Sequence, residues 1–472
     1  MPSRTKACAI CRKKRMKCDA TLPQCLMCIR SNRQCPGPLD GPIIVDMTKT
    51  AAVGMKKRSQ NQAVIHLVPQ ISPRNVYADA FFANFLTYFT SDGEGVDLQN
   101  RQMWLHYLPN LATDGSNEAL SLAVQATAFA YCGTEMRNPS LVQDAWKVYG
   151  RALSTHARLL KSDPKEVTVH MVSTSVLLSL FEAMSSTTAD AYQEHISGAA
   201  KMIEITGPGQ CFRGVMCQLF FHIRTQMAFV YLTTRKKPHI SVQKILKETL
   251  GYKHLPTFQR LMTHVTTLAE IYVQKTSPGS TEQLIDLPIY SAEKAEIDAL
   301  WLEFNEDASS RGEKLSWKNA NGFVEYRDGF TALSVAHFDA ARILFSNLAP
   351  RLHATYPDFV DPYASILSCS SFLRTHRVGC AYMRMATPLY LVALHSPNLA
   401  QRRAAISTFE DWKWGSMKGI SSMALQRIGE MQDRDIPDGV SEEWEREKTR
   451  WETLASPTPL RMFSFDDWVG HM

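Results

Sequence analysis

Nothing in this 472-residue chain is apolar for long enough to cross a bilayer. Its longest apolar stretches, ALSLAVQATAFAYC (119–132) and VSTSVLLSLF (172–181), are short and interrupted, which excludes a helical membrane span. Strand-like alternation is nearly absent, which argues against a β-sandwich or barrel. The basic first residues are not followed by an apolar h-region, so the expected setting is intracellular and reducing. Motifs of catalysis are missing too: there is no G-x-S-x-G, no H-E-x-x-H, no Walker-type loop and no G-x-G-x-x-G in a strand-to-helix context. GPGQCFRG (207–214) reads as a helix-breaking turn, and the fourteen histidines are scattered without ligand spacing. The chain is expected not to be an enzyme.

What is present is unevenly placed. Residues 1–60 carry 13 Lys and Arg against 3 Asp and Glu, whereas the remaining residues carry 39 against 43. A basic arm on a mildly acidic body is the pattern of a chain that meets a polyanion at one end. Six of the eleven cysteines also lie in the first 35 residues. The other five, Cys132, Cys211, Cys217, Cys369 and Cys380, sit irregularly among apolar residues, as reduced core thiols do.

The six early cysteines form a tandem repeat. Cys8-x2-Cys11-x6-Cys18 returns 17 residues later as Cys25-x2-Cys28-x6-Cys35. In a reducing setting this spacing favours metal over disulfides; the competing readings are a disulfide knot, or one zinc held by four thiols. Two tetrahedral zinc ions with separate ligands need eight sulfurs, but six suffice if two sulfurs bridge. The symmetric choice for the bridges is the first cysteine of each repeat, Cys8 and Cys25. So small a segment cannot hold a fold through an apolar core, and structural zinc can supply about 10–16 kcal/mol of apparent binding energy that becomes folding energy. Nearby cations stabilise the thiolates. They are unequally shared, however: Arg12, Lys13, Lys14, Arg15 and Lys17 lie in the first repeat, and only Arg30 and Arg33 in the equivalent stretch of the second. Thiolate stabilisation does not need that asymmetry, whereas entry of one helix into a DNA groove does. The run also suits a nuclear-import signal, which is compatible with DNA contact.

With all six cysteines, the run C-R-x-K-R-x-K-C and Pro23 two residues before the fourth cysteine, this stretch resembles the fungal Zn2Cys6 binuclear-cluster DNA-binding domain. The resemblance implies two short helices around two zinc ions. It also implies recognition of CGG-type triplets in double-stranded DNA by the basic residues ending the first helix, here Lys14 and Arg15. Both side chains can donate to guanine O6 and N7. Arg12, Lys13 and Lys17 then read as phosphate contacts, and Met16 as the apolar packing residue.

A linker is expected over 37–72, after a module at 1–36. Pro36, Pro38 and Pro42 with Gly37 and Gly41 forbid a helix continuing from the cluster. The dimerising coiled coil common in the resembled family is not found as a heptad pattern, so the chain is expected to act as a monomer or as a homodimer through its large domain. Lys56-Lys57-Arg58 fits half of an import signal, a further phosphate contact or a solvated charge run.

Residues 73–430 are expected to be a large all-helical domain. Tyr77, Phe81, Phe85 and Phe89 recur at helical spacing as a core face. Asp163-Pro164, with Glu166, is expected to start a buried helix running through Phe181. Tyr192, Ile196, Ala199, Ala200 and Ile203 make the next face, stopped by Gly207-Pro208. The segment LSLFEAMSSTTADAYQEHISGAAKMIEITGP (178–208) is similar to the fungal-specific transcription factor domain, which implies an all-α regulatory domain without an active site. His195 is expected as a partly buried helix histidine and Gly198 as a close helix contact.

Over 431–472, Trp444 and Trp451 give a charged helix one apolar seam. FSFDDWVGHM (463–472) sets Phe463, Phe465 and Trp468 around Asp466 and Asp467, the pattern of an activation motif that orders in a coactivator groove, or of a terminus docking on the body. The whole reads as an all-α nuclear transcription factor of RNA polymerase II genes, with two zinc ions and a specific metabolic pathway such as a secondary-metabolite gene cluster as its target. The alternative is a helical ligand-binding or scaffold protein that uses the zinc module only for localisation or protein contacts.

Overall fold

In a computed structural model of the chain, the described residues are 7–21, 23–37, 73–90, 104–162, 166–188, 190–207, 211, 214–234, 257–276, 287–348 and 361–435. The linker, Lys56 to Arg58, the Trp444–Trp451 segment and the acidic-aromatic tail expected from the sequence lie outside them. The chain divides into two compact units, Met1–Gln70 and Ile71–Met472. The first contains two short helices, α1 (Ala9–Lys13) and α2 (Leu26–Arg30), around a core made of cysteines.

The second unit is all-helical apart from one small hairpin. α3 (Pro73–Phe89) is followed by a 3-10 turn (Trp104–Tyr107), α4 (Leu108–Thr113), α5 (Glu118–Glu135), α6 (Pro139–Lys161), α7 (Val169–Ser185), α8 (Ala191–Thr206) and α9 (Gly214–Thr233). Then come α10 (Thr257–Thr276), α11 (Leu287–Ser310), the hairpin, α12 (Gly329–Leu348), α13 (Pro362–Thr375), α14 (Gly379–Arg384), α15 (Ala386–His395), α16 (Leu399–Lys413) and α17 (Lys418–Asp435). Short polar residues start these helices by accepting from orphan amides. Asn117 Oδ1 accepts from Leu120 N–H at 2.9 Å, Asn138 Oδ1 from Leu141 N–H at 3.1 Å, and Asp361 Oδ1 from Tyr363 N–H at 3.0 Å. Pro139 and Pro362 follow two of these caps in the first turn, where a missing N–H costs nothing.

α7 is the central helix, buried continuously from Met171 to Met184 and packed on α5, α8, α9 and α17. Its burial matches the apolar composition expected through Phe181, but its start does not. The helix begins at Val169 with Thr168 as N-cap, the Thr168 Oγ1 accepting from Met171 N–H at 3.3 Å. Glu166 stands outside it, exposed. The nearer hydroxyl cap takes precedence over the Asp-Pro signal. Glu182, although buried in this helix, is satisfied by Thr187, whose N–H and hydroxyl both donate to the carboxylate.

The aromatic stripe of α3 is half correct as a core face. Phe85 and Phe89 are buried against Tyr131 of α5, and Phe81 meets Phe129 edge-on at 5.6 Å, but Tyr77 is 60% exposed at the helix start. On α8, Tyr192, Ile196, Ala199, Ala200 and Ile203 are all buried, and Gly207 ends the helix at φ +75°. The five late cysteines are buried, as expected. Gly198 is not a tight contact: a Cβ there would lie 3.8 Å from Ser175 Oγ, an ordinary distance. The tight crossing is at Gly419, where a Cβ would meet the Glu182 carbonyl oxygen at 2.0 Å, so α17 reaches the end of α7 only through glycine.

One small hairpin is the only strand structure among the described residues, in keeping with the expected near-absence of alternation. Ser316–Lys318 (β1) pairs antiparallel with Val324–Tyr326 (β2). Asn319 Oδ1 accepts from the N–H groups of Asn321 and Phe323, both at 3.0 Å, and Gly322 takes φ +81°.

Candidate metal centre

The two cysteine repeats fold as two copies of one device. Cys25 is extended and caps α2, its Sγ accepting from Cys28 N–H at 3.4 Å. In the first repeat, Cys8 Sγ accepts from Cys11 N–H at the same 3.4 Å. Each helix closes in a Schellman-type turn. Met16 N–H reaches Cys11 O at 2.9 Å around Arg15 at φ +53°, and Arg33 N–H reaches Cys28 O at 3.0 Å around Asn32 at φ +49°. A second left-handed residue follows in each copy, Ala20 at φ +56° and Gly37 at φ +83°. Cys8 N–H donates to Cys18 Sγ at 3.4 Å, and Cys25 N–H plays the same part for Cys35. The duplication seen in the sequence is thus a duplication of backbone conformation.

This folding gathers the sulfurs into two overlapping groups of four. Cys8, Cys11, Cys18 and Cys25 form one, and Cys8, Cys25, Cys28 and Cys35 the other, with ligand atoms within 4.8 Å of one another in each group. A tetrahedron of sulfurs about 2.3 Å from zinc has edges of about 3.8 Å. The Cys8–Cys25, Cys11–Cys25 and Cys8–Cys28 sulfurs are 3.7 Å apart, and Cys35–Cys25 3.8 Å. The residues present therefore fit zinc, and the two groups share Cys8 and Cys25.

Electrostatics point the same way. Burial pushes the thiols of Cys11, Cys25 and Cys28 up to about 12 in the absence of a cation, whereas the Cys25 N–H pulls Cys35 down to about 7 and the Cys8 N–H lowers Cys18. A divalent ion among them supplies the charge that removes the remaining protons.

Asp19 was not foreseen as part of the site. Its carboxylate accepts from Leu26 N–H at 3.1 Å and Met27 N–H at 3.4 Å, tying the end of the first repeat to the first turn of α2. Desolvation opposes its charge, yet the amides of Leu26, Asp19 and Met27 together hold the exposed carboxyl below its ordinary range. A cap seven residues upstream of its amides leaves no spacing signal in a sequence.

Of the expected DNA-contacting residues, Lys13, Lys14, Arg15 and Lys17 are exposed, and Met16 is half-buried beside them. The Arg12 side chain lies outside the description. Equivalent positions of the second repeat run Ile29, Arg30, Ser31, Asn32, Arg33 and Gln34. Phe463, Phe465, Asp466, Asp467 and Trp468 fall outside the described residues.

Residues 6–38 match the family model of the fungal Zn(2)-Cys(6) binuclear cluster domain. No curated protein and no solved structure matches the chain. The module binds two zinc ions through its six cysteines. It indicates a fungal zinc-cluster DNA-binding transcription factor, of a family that regulates transcription rather than catalysing a reaction. The match ends before the helical unit begins. Among the described residues, no helix is long and apolar enough to cross a membrane.

Proposed function

We propose that this chain is a nuclear, sequence-specific regulator of RNA polymerase II genes that reads CGG-type triplets through Lys14 and Arg15. Cys8 and Cys25 bridge the two zinc ions, with Cys11 and Cys18 completing one and Cys28 and Cys35 the other. Arg12, Lys13 and Lys17 neutralise phosphates and set the register of the module. The helical unit, from about residue 73 to 430, serves as a fungal-specific transcription factor regulatory domain. The acidic-aromatic tail contacts coactivators, and the target is one metabolic pathway, such as a secondary-metabolite gene cluster.

One observation carries the reading. Arg15 occupies a left-handed position at φ +53° where the second repeat uses Asn32. That conformation costs a residue with a Cβ about 1–2 kcal/mol and is best tolerated by Gly, Asn or Asp. The second repeat takes the residue that suits the backbone, and the first takes a long cation. Arginines also take left-handed helix ends in the helical unit, Arg137 at φ +48° and Arg377 at φ +54°, so the turn accepts the residue; what sets the first repeat apart is that Arg15 stands exposed in one run with Lys13, Lys14 and Lys17, as phosphate and base contacts require.

In vitro selection of bound duplexes by the zinc-loaded full-length protein tests the reading. Enrichment of CGG-type triplets is expected, and their number and spacing distinguish a monomer from a homodimer. Equal retention of random and CGG-bearing duplexes would remove the proposal.

A further inference from the structure

α6 buries one face and carries a second apolar stripe beside it. Ala145, Tyr149, Ala152 and His156 are buried on the first. Trp146, Leu153 and Leu160 recur every seven residues along the second and are 45%, 39% and 41% exposed. A single exposed leucine needs no explanation, but three large apolar side chains in register along about 21 Å of one helix make a seam of the kind that helix pairs bury. Two small residues, Gly150 and Ala157, alternate with them, also seven apart. Gly150 is exposed, and a Cβ placed on it would meet nothing within 4 Å, while Ala157 is half-buried. The stripe is therefore two holes walled by three large side chains.

Charge limits what can cover it. Helical spacing sets Lys147, Arg151, Arg158 and Lys161, all exposed, along the solvent side of the stripe, with the buried face bounding the other side. Lys147 also holds Asp144 at 2.9 Å. A second copy of α6 fits poorly: laid antiparallel, the two stripes set cations against cations, and laid parallel they leave those cations unmatched. The stripe asks for a helix with large apolar residues seven apart and an acidic flank. The unabsorbed Trp444–Trp451 segment of this chain has that pattern.

We propose that residues 440–455 dock on α6 of the same chain as an antiparallel helix. Trp444 and Trp451 repeat at about 10.5 Å along a helix, the same repeat as Ala157 and Gly150. Trp444 fills the hole over Ala157 and Trp451 the hole over Gly150, as knobs in holes. Glu445 and Glu452 each follow a tryptophan by one residue and so share a flank, which in the antiparallel sense is the flank that meets the α6 cations. Glu445 comes level with Arg158 and Lys161, and Glu452 with Lys147 and Arg151. Lys448, between the tryptophans, lays its apolar stem over Leu153 and keeps its amine in water. Eight residues separate Asp435, the end of α17, from Trp444. Extended, they span about 30 Å, more than the roughly 20 Å radius of gyration of a compact unit of this size.

The test uses the full-length protein with zinc and is independent of DNA binding. Hydrogen exchange is followed by mass spectrometry over 440–455, with the α7 amides reporting that the unit is folded. The wild-type segment is expected to exchange at least tenfold more slowly than a free peptide of the same sequence. Gly150→Leu fills a hole that the unit itself leaves open, so α7 should stay protected and the thermal midpoint of the unit should not fall. In that variant 440–455 should exchange at the peptide rate. Arg158→Glu should speed exchange of the segment severalfold, and Arg158→Glu combined with Glu445→Arg should slow it again. Wild-type exchange at the peptide rate overturns the docking. So does protection that survives Gly150→Leu, because the segment then sits elsewhere, and so does a charge swap without recovery. Protection that fades on dilution together with a dimer in sedimentation would put the segment on a second copy and overturn docking within one chain.

Discussion

Arg15 and Lys17 stand two residues apart and are expected to fail differently. Arg15→Asn installs the residue that the second repeat already uses at φ +49°, so the turn and both zinc ions should be retained. Affinity for a selected site should nevertheless fall by roughly 1–3 kcal/mol with relaxed base preference, and Lys14→Ala should behave alike. Lys17→Ala should weaken all duplexes equally and reduce the salt slope by about one. Binding titrations at several salt concentrations against specific and random DNA separate the two patterns. Cys25→Ser tests the bridge: metal analysis should find both zinc ions lost together, and one zinc retained in a folded module would refute the sharing. The sulfur set was legible because a 17-residue repeat leaves no freedom in which cysteines correspond. Asp19 was not, since its partners are backbone amides and carry no residue type to read.

At the level of elements, legibility followed how local the cause is. Faces set by helical spacing, such as Ile196, Ala199, Ala200 and Ile203, came through. The hairpin at 316–326 did not, although its Asn321-Gly322 pair is a strong short-range hairpin signal; strands of three residues are too brief to show alternation. Gly198 and Gly419 show the same limit from the other side. Both are glycines in helices, and only the tertiary approach of α17 to the Glu182 carbonyl makes the second one indispensable. Gly419→Ala is expected to cost about 1–3 kcal/mol as overpacking against backbone that cannot yield. Gly198→Ala should be neutral or slightly stabilising through helix propensity. A pair of urea melts of the two variants decides this, and equal midpoints would contradict the close crossing.

For the whole molecule, the two units have separate cores, one of sulfur and one of hydrocarbon. A chelator should therefore unfold residues 7–37 and leave the helical melting transition in place. Acid should act on both units: protons compete with zinc for the thiolates of the first, and in the second burial lowers His156, His195, His337 and His395 to about 4 and His222 well below its ordinary value. Each stays neutral in the fold down to that range, while the unfolded chain takes the proton near 6.5. Stability is then fully present above about pH 6.5 and lost as pH falls towards 4, at about 1.4 kcal/mol per pH unit for each such histidine. Asp339 and Glu135, raised by burial, act with the opposite sign, but two groups do not offset five. His156 isolates the effect, because both ring nitrogens are buried without a hydrogen-bond partner among the described residues. His156→Leu should leave stability at pH 7.5 unchanged or raised, since an unsatisfied polar ring is replaced by hydrocarbon. Its denaturant stability should also fall less steeply between pH 6.5 and 4, by about 1.4 kcal/mol per unit. If the wild type and His156→Leu lost stability in parallel on acidification, the buried neutral histidine would not be a source of the acid sensitivity.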